Sequence, residues 1–357
     1  MKNRRFFNLL TLAVKKIYHE VYGIKWRYKE GESMDATYIE KIFYGSGVDI
    51  VNRHDNKNIY KLQDSTGSTI LTSYDILDGI QIIYNDVHMQ SVSLDLEVPE
   101  GFFEVNHCRE GRIECEYSDD EYLYMSKDDF VINKKDNKGS KSYFPLSHYN
   151  GISICFEIKK AQKEIDKYLP NSCINLEELF NRLCNNHSFL IMKSNEAIGH
   201  IFAELYSVPE KIKLEYFKIK VLEIVLFLSA IDEFKNEKRD YYSRKQVEIV
   251  KNIQKQITEN IQIKYTLDEL AKKNNIGLTT MKKCFKGVYG KSIYAYIREY
   301  RIRIASEKLA YTDEKILSIA NYVGYENGSK FAAAFKDIVG LSPKEFRERR
   351  DVMSIWS

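Results

Sequence analysis

The feature that most constrains this chain is an internal repeat within residues 266–350. Two segments there share a helix-turn-helix pattern with the same apolar anchors. Leu270 aligns with Ile319 before the turn at an offset of 49 residues, whereas Phe285 aligns with Phe335 after the turn at an offset of 50. The second turn is therefore predicted to be one residue longer. Because the anchors recur while the polar positions differ, the repeat predicts two related binding surfaces with different chemistry.

Charge is distributed unevenly along the 357 residues. Residues 241–357 contain 22 Lys and Arg against 13 Asp and Glu, a balance of +9, whereas residues 1–240 have a balance of −6. A basic segment of this kind indicates a module that binds a polyanion such as nucleic acid. A chain of this length is expected to form two or three domains.

Three features favour a soluble cytoplasmic protein. The six cysteines form no CxxC pair, so neither a disulfide framework nor a structural zinc site is predicted. The most apolar run, residues 221–231, has 11 residues and includes Glu223, so it is too short for a membrane span. The apolar stretch 6–14 is followed by Lys15 and Lys16 without a cleavage site, which favours an amphipathic helix over a signal peptide.

Short apolar and β-branched runs separated by turn residues dominate residues 36–157. The alternation is clearest at 91–96, where Val92, Leu94 and Leu96 share one side. The predicted strands are 80–84, 91–96, 112–117, 122–125 and 152–158. This pattern predicts an antiparallel β-sandwich or barrel, to which we assign residues 1–158.

Residues 159–240 change to helical periodicity and are predicted to be a helical connector. The predicted helices are 161–169, 176–184, 197–206 and 213–234. The last helix carries an apolar stripe of Phe217, Val221, Ile224 or Val225, Leu228 and Ile231. This stripe can pack on the β domain or on the same helix of a second subunit, so a homodimer is one of two open interpretations. The charged segment 236–244 suits a linker.

The first copy of the repeat begins with a capping box, in which Thr266 and Glu269 bond to each other's backbone amides. Asn and Gly residues in the turn 274–277 tolerate left-handed backbone geometry. In the following helix, 278–286, Met281 is predicted to be buried with the aromatic residue four positions later. The predicted outward residues are Thr279, Thr280, Lys282, Lys283 and Lys286. Hydroxyls near the start of a helix and lysines along it fit a helix that lies in the DNA major groove.

A long helix, 292–310, separates the two copies. Its predicted buried stripe is Ile293, Ile297, Tyr300, Ile304 and Leu309. At ~1.5 Å per residue the helix would be about 28 Å long, near the ~34 Å between major-groove faces one turn apart. A rigid rod of this length could hold two DNA-reading helices in successive grooves.

The second copy presents a less polar helix, 328–338. The predicted inward residues are Phe331, Ala334, Phe335 and Ile338. The predicted outward residues are Ser329, Lys330, Ala332, Ala333 and Lys336. Two alanines cannot hydrogen-bond to bases, so this helix is expected to read a thymine methyl group or to contact phosphates and set register.

Residues 243–350 resemble the DNA-binding domain of the AraC/XylS family of bacterial transcription regulators. The matching motifs are LDELA from 267, FKGVYGKS from 285, YIREYRIRIASEKLA from 296, SIANYVGY from 318, SKFAAAFK from 329 and GLSPKEFR from 340. The forms SKFAAAFK, TMKKCFK and YGKSIYAYIREYRI are most similar to the siderophore- and iron-responsive branch. Arg301 matches a family arginine that is expected to bridge helices rather than to contact DNA.

The resemblance implies a multidomain α+β protein with a seven-helix domain at residues 241–357, in which two helix-turn-helix motifs enter adjacent major grooves. It implies a DNA-binding transcriptional regulator, an activator that responds to a small-molecule effector and works with RNA polymerase on double-stranded DNA. The DNA-contacting residues carried over are Thr279, Thr280, Lys282, Lys283 and Lys286 in the first motif, and Asn327, Ser329, Lys330 and Lys336 in the second.

The β domain resembles, less specifically, the cupin-like sensor that often precedes this module. A metal cupin needs an HxH pair followed by Glu and a later His, whereas His107 stands beside Cys108 alone. No metal or other cofactor and no enzymatic activity are therefore expected. His54, His88 and His148 are scattered among the predicted strands and are expected to be ordinary residues. Two alternatives stay open: a β domain that docks a protein partner, and a cupin enzyme with a DNA-binding appendage.

Overall fold

The computed structural model describes residues 40–41, 44–45, 47–93, 100–118, 120–134, 141–184, 189–231 and 240–354. The predicted helix at 6–14 and residues 236–239 of the predicted linker lie outside these residues, whereas 242–244 of that linker form a short strand and the start of a helix. The described part of the chain divides into two compact units, Met1–Ile113 with Met125–Glu237, and Glu114–Tyr124 with Lys238–Ser357. The boundaries differ from the predicted ones, because the helices of the connector share the β-rich unit and a short β segment joins the C-terminal unit.

The strands are β1 Asp49–His54, β2 Lys57–Asp64, β3 Gly67–Leu77, β4 Ile80–His88, β5 Ser91–Ser93, β6 Phe102–Ser118, β7 Glu121–Ser126, β8 Asp129–Lys134, β9 Lys141–Tyr143, β10 Tyr149–Glu157, β11 Phe189–Lys193 and β12 Tyr242–Ser243. In the β-rich unit the neighbours run β1-β2-β3-β4-β10-β6-β8-β11, and every pair is antiparallel. β5 pairs with β9 apart from this sheet. The predicted antiparallel sheet is found, but its strands are longer and more numerous than the sequence pattern indicated.

Local turn chemistry sets the register of the first strands. Between β2 and β3 the Asp64 carboxylate accepts hydrogen bonds from the Thr66 amide at 2.6 Å and the Gly67 amide at 3.2 Å. Between β3 and β4 the turn uses Gly79 at φ +75, a backbone angle that favours glycine. Strand alternation then sends apolar residues to one face of the sheet, which is why successive strands share a core.

The helices of the β-rich unit are α1 Ile158–Tyr168, α2 Leu176–Cys184, α3 Glu196–Leu205 and α4 Lys213–Ser229. They pack on one face of the sheet, where the core includes Ile82, Ile154 and Phe180. The predicted helical region 159–240 also contains β11, which pairs with β8. That strand was missed because its five residues, FLIMK, are a short apolar run whose period cannot separate helix from strand.

The predicted apolar stripe of α4 packs within the chain. Phe217, Val221 and Leu228 are fully buried in the core with the sheet, and the Phe217 ring lies 5.3 Å from that of Tyr74. Of the two interpretations left open by the sequence, packing on the β domain therefore accounts for the stripe. A second apolar group on α4 is exposed and is considered below.

The helices of the C-terminal unit are α5 Arg244–Glu259, α6 Leu267–Lys273, α7 Leu278–Tyr289, α8 Ile293–Tyr311, α9 Ile316–Tyr322, α10 Gly328–Val339 and α11 Pro343–Ser354. The long helix α8 buries only part of the predicted stripe: Ile293 and Leu309 are buried, Ile297, Tyr300 and Ile304 are only partly buried, and Ile302 and Ala305 outside the stripe are fully buried. The prediction was wrong at the three middle positions because α8 packs on two partners along different faces. Its first half meets α7, and its second half meets the pair α9–α10.

One further predicted position differs. Ile338, expected to face inward on α10, is 38% exposed, while Phe331 and Phe335 are fully buried. Val339, the next residue, packs against that core instead, so Ile338 falls on the outer side of the last turn of α10. In the described part of the chain no helix is long and apolar enough to cross a membrane.

His107 makes the stability of the β-rich unit depend on pH. Its ring is 5% exposed and stacks on Phe202 at 4.5 Å, and burial lowers its pKa from 6.5 to about 4. The native state therefore holds a neutral ring, while the unfolded chain binds a proton below pH 6.5. We expect the free energy of unfolding to fall by about 2.5 kcal/mol from this group between about pH 7.5 and about pH 4.5.

Urea unfolding followed by β-sheet circular dichroism at the two pH values measures this loss. In His107→Phe the drop between them should be smaller by that amount, because the replaced ring cannot titrate. An equal drop in both proteins would show that His107 is not the responsible group.

Candidate nucleic-acid interface

The first helix pair begins at the predicted capping box. The Thr266 hydroxyl accepts a hydrogen bond from the Glu269 amide at 3.2 Å, and the Thr266 amide donates to the Glu269 carboxylate at 2.9 Å. Helix α6 therefore starts at Leu267, with Leu270 buried at 1% exposure. The turn that follows places Asn275 at φ +50, the left-handed conformation that the sequence predicted for this turn.

The turn of the second helix pair resembles the turn of the first, except for one inserted residue. Gly324, at φ +85, stands 49 residues after Asn275, so both turns use a left-handed residue at the same place. Helix α7 is preceded by the cap residue Gly277 and α10 by Asn327, which are 50 residues apart. The insertion thus falls directly after the left-handed residue, and the structure confirms the longer second turn.

Helix α7 separates its buried and exposed sides as predicted. Met281, Cys284 and Phe285 are buried at 1% exposure or less. All five predicted outward residues, Thr279, Thr280, Lys282, Lys283 and Lys286, are exposed. The start of α7 therefore presents hydroxyls and its length presents three cations on one continuous surface.

One of these cations is already paired within the chain. The ammonium group of Lys283 lies 2.7 Å from the Asp240 carboxylate, and both side chains are more than half exposed. An exposed pair of this kind is weak, typically below about 1 kcal/mol. A phosphate can therefore replace Asp240 at little cost. The sequence could not reveal this contact, because it joins residues 43 positions apart across the end of a linker.

Helix α10 presents a smaller polar surface. Ser329, Lys330 and Lys336 are exposed as predicted, Ala333 is exposed and Ala332 is partly buried. Asn327 is exposed, but its side-chain oxygen accepts hydrogen bonds from the Ser329 amide at 2.9 Å and the Lys330 amide at 3.0 Å. Asn327 is thus the cap of α10, and a cap is worth about 1 kcal/mol to a helix. Its sequence signal was present, because Asn is among the preferred cap residues.

Arg301 joins α8 to two loops of the C-terminal unit. Its guanidinium donates to the carbonyl oxygens of Ile261 at 3.0 Å, Ile263 at 3.1 Å and Gly324 at 3.3 Å. Burial lowers its pKa, although an arginine stays charged. A β-carbon on Gly324 would lie 2.7 Å from this guanidinium, so glycine is required there by space as well as by φ. The predicted structural role of Arg301 agrees with these contacts.

Several titratable groups lie away from the two helix pairs. Within the described ranges, no three His, Cys, Asp or Glu side chains are placed to hold a metal ion. Burial raises the pKa of Cys108 to about 12 and of Cys284 to about 12, whereas a nucleophilic cysteine needs a lowered pKa. His88 and His148, which looked scattered in the sequence, are brought together with ring centroids 5.1 Å apart. Strands β4 and β10 pair with Tyr149 opposite Val87, which brings the adjacent histidines together, a proximity that sequence spacing does not show.

Comparison with known proteins identifies this region. A helix-turn-helix domain model matches residues 270–349. An uncharacterized HTH-type transcriptional regulator, YtdP of Bacillus subtilis, is 25% identical over 244 residues, 63% of this chain and 30% of that protein. The virulence regulon transcriptional activator VirF of Yersinia enterocolitica is 31% identical over 122 residues, 34% of this chain and 41% of that protein. The chain spans less than half the length of these curated relatives.

Among solved structures, a transcriptional regulator described with the AraC-type DNA-binding domain-containing proteins, from Chromobacterium violaceum, is 21% identical. The match covers 29% of this chain and 91% of that chain, with a TM-score of 0.27. Residues 270–349 of the present chain thus match a helix-turn-helix domain. The chain combines this helical C-terminal region with an N-terminal antiparallel β-sheet domain.

We expect Arg301→Lys to lower the free energy of unfolding of the C-terminal unit by about 2 kcal/mol, because an ammonium group cannot reach all three carbonyls. Urea unfolding of the full chain, followed by helix circular dichroism, measures the change. Arg303→Lys is the matched control, since Arg303 is exposed, bonds Glu307 at 2.9 Å and lies over the Tyr300 ring, without bridging any loop. Equal effects of the two substitutions would contradict the bridging role.

Proposed function

We propose that this protein is a sequence-specific DNA-binding transcriptional regulator that reads two adjacent major grooves. The observation that carries the proposal is the surface of α7, where two threonines and three lysines are exposed above a fully buried core. The match of residues 270–349 to the helix-turn-helix domain supports it. Both helix pairs act as helix-turn-helix motifs, with α7 and α10 as recognition helices and α8 as the rod between them.

The two recognition helices contribute unequally to specificity. On α7, the hydroxyls of Thr279 and Thr280 reach base edges or phosphates, and Lys282, Lys283 and Lys286 neutralise phosphates. On α10, the side-chain amide oxygen of Asn327 is occupied by the cap hydrogen bonds. Lys330 and Lys336 then contact the phosphate backbone of the DNA. Ser329 bonds a phosphate or a base, and Ala333 contacts a thymine methyl group. The first helix therefore sets most of the specificity, and the second sets register.

A small-molecule effector binds the β-rich unit on the sheet face opposite its helices. Polar residues there lie in direct register on five neighbouring strands: Asp75, Gln81, Cys155, Glu104 and Asn133. A second chain of hydrogen bonds links Asn85 to Ser153 at 2.9 Å and Asn106 to Asn133 at 2.9 Å. Cys155 and Ser153 are buried, whereas the other side chains of this set are only partly buried and offer both donors and acceptors to a polar ligand. Docking of a protein partner on the same unit is the alternative.

The sign of regulation is proposed from the name of a relative. VirF is named a transcriptional activator, and we propose activation, through RNA polymerase, for this chain as well. The siderophore- or iron-responsive branch stays a prediction from motif resemblance. The proposed site of action is the cytoplasm, where the DNA is, and no enzymatic step is part of the proposal.

The DNA-binding role of α7 predicts a particular salt dependence. Replacing Lys283 by Ala should weaken binding and reduce the slope of log affinity against log salt by about one unit, since one phosphate contact is lost. Fluorescence anisotropy with a duplex recovered from a random-sequence library by the full chain measures both quantities. Lys255→Ala on α5 is the control of equal charge, outside the predicted contacts. An unchanged slope in Lys283→Ala would contradict the proposed phosphate contact of Lys283. Failure to recover any duplex would contradict the proposed DNA-binding function.

The exposed apolar residues of α4 are the basis for a proposed homodimer. Ile219 is 60% exposed, Leu226 is 42% exposed and Phe227 is 41% exposed, on a helix whose other face is already in the core. Ile219 and Leu226 are seven residues apart, so they share one face. In an antiparallel pair of α4 helices, Ile219 of each copy meets Leu226 of the other, which makes the contact self-complementary.

We expect the full chain to sediment as a dimer and the double variant Ile219→Glu, Leu226→Glu to sediment as a monomer, because four carboxylates would enter the contact. Sedimentation velocity distinguishes the two states. Ile212→Glu, which changes a residue 49% exposed outside α4, is the control and should leave the dimer intact. A monomeric parent chain at micromolar concentration would contradict the dimer.

A further inference from the structure

A hairpin formed by β6 and β7 belongs to the same compact unit as the DNA-binding helices. Residues Glu114–Tyr124, which include the end of β6 and the start of β7, cluster with that unit rather than with the sheet from which both strands come. Backbone pairing fixes the hairpin there: Tyr122 lies opposite Tyr242, and Glu121 opposite Ser243. Nothing in the periodicity of the sequence indicates this contact.

A buried carboxylate attaches the hairpin to helix α5. The Glu114 side chain is 9% exposed and lies 2.8 Å from the ammonium group of Lys251. It also accepts a hydrogen bond from the Tyr124 hydroxyl at 2.6 Å. Burial raises the pKa of Tyr124, and the Glu114 charge raises it further, so the hydroxyl remains a donor. Removing one partner of such a buried charge is costly, so the three side chains are held in one arrangement.

The strand beside the hairpin also packs on the first recognition helix. A β-carbon on Gly287 of α7 would lie 2.2 Å from the Tyr242 ring, so this close approach requires glycine. The Tyr124 ring lies 6.3 Å from the Tyr242 ring and continues the contact into the hairpin. Asp240, two residues before Tyr242, pairs with Lys283, one turn before Gly287. Hairpin, strand and helix α7 therefore form one continuous set of contacts.

The second recognition helix is built on different neighbours. Its buried residues Phe331 and Phe335 pack in a cluster with Ile302, Leu309 and Ile319 of helices α8 and α9. The contacts of the hairpin thus reach α7, whereas α10 depends on the helices beside it. A change in the hairpin is expected to affect the two readers differently.

We propose that the β6–β7 hairpin controls the first recognition helix. While Glu114 is bonded to Lys251 and Tyr124, the hairpin holds β12 and the Tyr242 ring against Gly287, and α7 is ordered for its half of the DNA site. Release of the hairpin loosens α7 and leaves α10 unchanged. Strand β6 also carries Glu104 and Asn106 in the sheet of the β-rich unit, and the hairpin lies at the other end of this strand. The hairpin is therefore the part of that strand through which the DNA affinity of α7 is set. This inference rests on the proposed DNA-binding function.

Two measurements on the full chain test the proposal. Hydrogen-exchange mass spectrometry compares amide protection of Leu278–Tyr289 with that of Gly328–Val339. Fluorescence anisotropy measures affinity for the selected duplex and for versions mutated in either half site. The variants are Glu114→Gln and Tyr124→Phe, with Glu121→Gln as the control, because Glu121 is exposed on the same hairpin and its change removes the same charge.

In Glu114→Gln and Tyr124→Phe we expect exchange in α7 to rise and affinity to fall about tenfold, a typical size for coupling between sites. The loss should disappear on duplexes already mutated in the α7 half site, and α10 exchange should not change. Simple electrostatics predicts the opposite sign for Glu114→Gln, since removing a carboxylate favours DNA binding. The control should behave like the parent chain.

The outcomes are separable from failure of the proposed function. If Glu114→Gln binds DNA more tightly, or if both variants keep parental exchange in α7, the hairpin does not control the helix. If the parent chain binds no DNA, the proposed function fails, while the exchange measurement still decides whether the hairpin orders α7. Tyr124→Phe removes a single oxygen atom and is expected to preserve the fold. It therefore still tests the proposal if Glu114→Gln does not fold. Equal exchange increases in α7 and α10 would indicate general unfolding and would contradict the proposal.

Discussion

The two-sided packing of helix α8 is the constraint on which the C-terminal unit depends. Its first half places Tyr296 against Phe285, with ring centroids 5.6 Å apart, beneath the first recognition helix. Its second half buries Ile302, Ala305 and Leu309 in the cluster beneath the second. Because a helix is stiff and the two contacts use different faces, α8 alone fixes the spacing of α7 and α10. This arrangement also explains why a single apolar stripe is a poor description of α8.

Hydrogen bonds to the backbone fix the starts of α6 and α10 and the loops that surround α8. The capping box at Thr266, the Asn327 cap and the Arg301 contacts to three carbonyl oxygens each satisfy groups that a helix end or a tight turn leaves unpaired. Such groups are costly when buried without partners, so the turns have little freedom. Because the Asn327 oxygen already accepts backbone hydrogen bonds, it is not a candidate for contacting a base. The two halves of the repeat are therefore chemically unequal.

The β-rich unit combines two kinds of sheet face. Apolar residues such as Ile82 and Ile154 meet the helices, while the alternate positions carry the polar row that includes Glu104 and Asn133. Period-two alternation is the physical cause of this division. Strand β6 connects it to the C-terminal unit, because its far end is the hairpin held by Glu114. The polar position Glu104 and the ion-paired Glu114 therefore lie on one continuous strand.

The sequence by itself determined the duplicated helix pair, the longer second turn, the exposed residues of α7 and the antiparallel character of the N-terminal sheet. These depend on local rules, namely side-chain periodicity, caps and turn residues, which act over a few positions. Only the tertiary structure decided the partner of Lys283, the strand β11, the two faces of α8 and the placement of residues Glu114–Tyr124 with the helices. Each of these joins segments distant in the chain or depends on which surface a neighbour covers, and long-range packing leaves no periodic signal in the sequence.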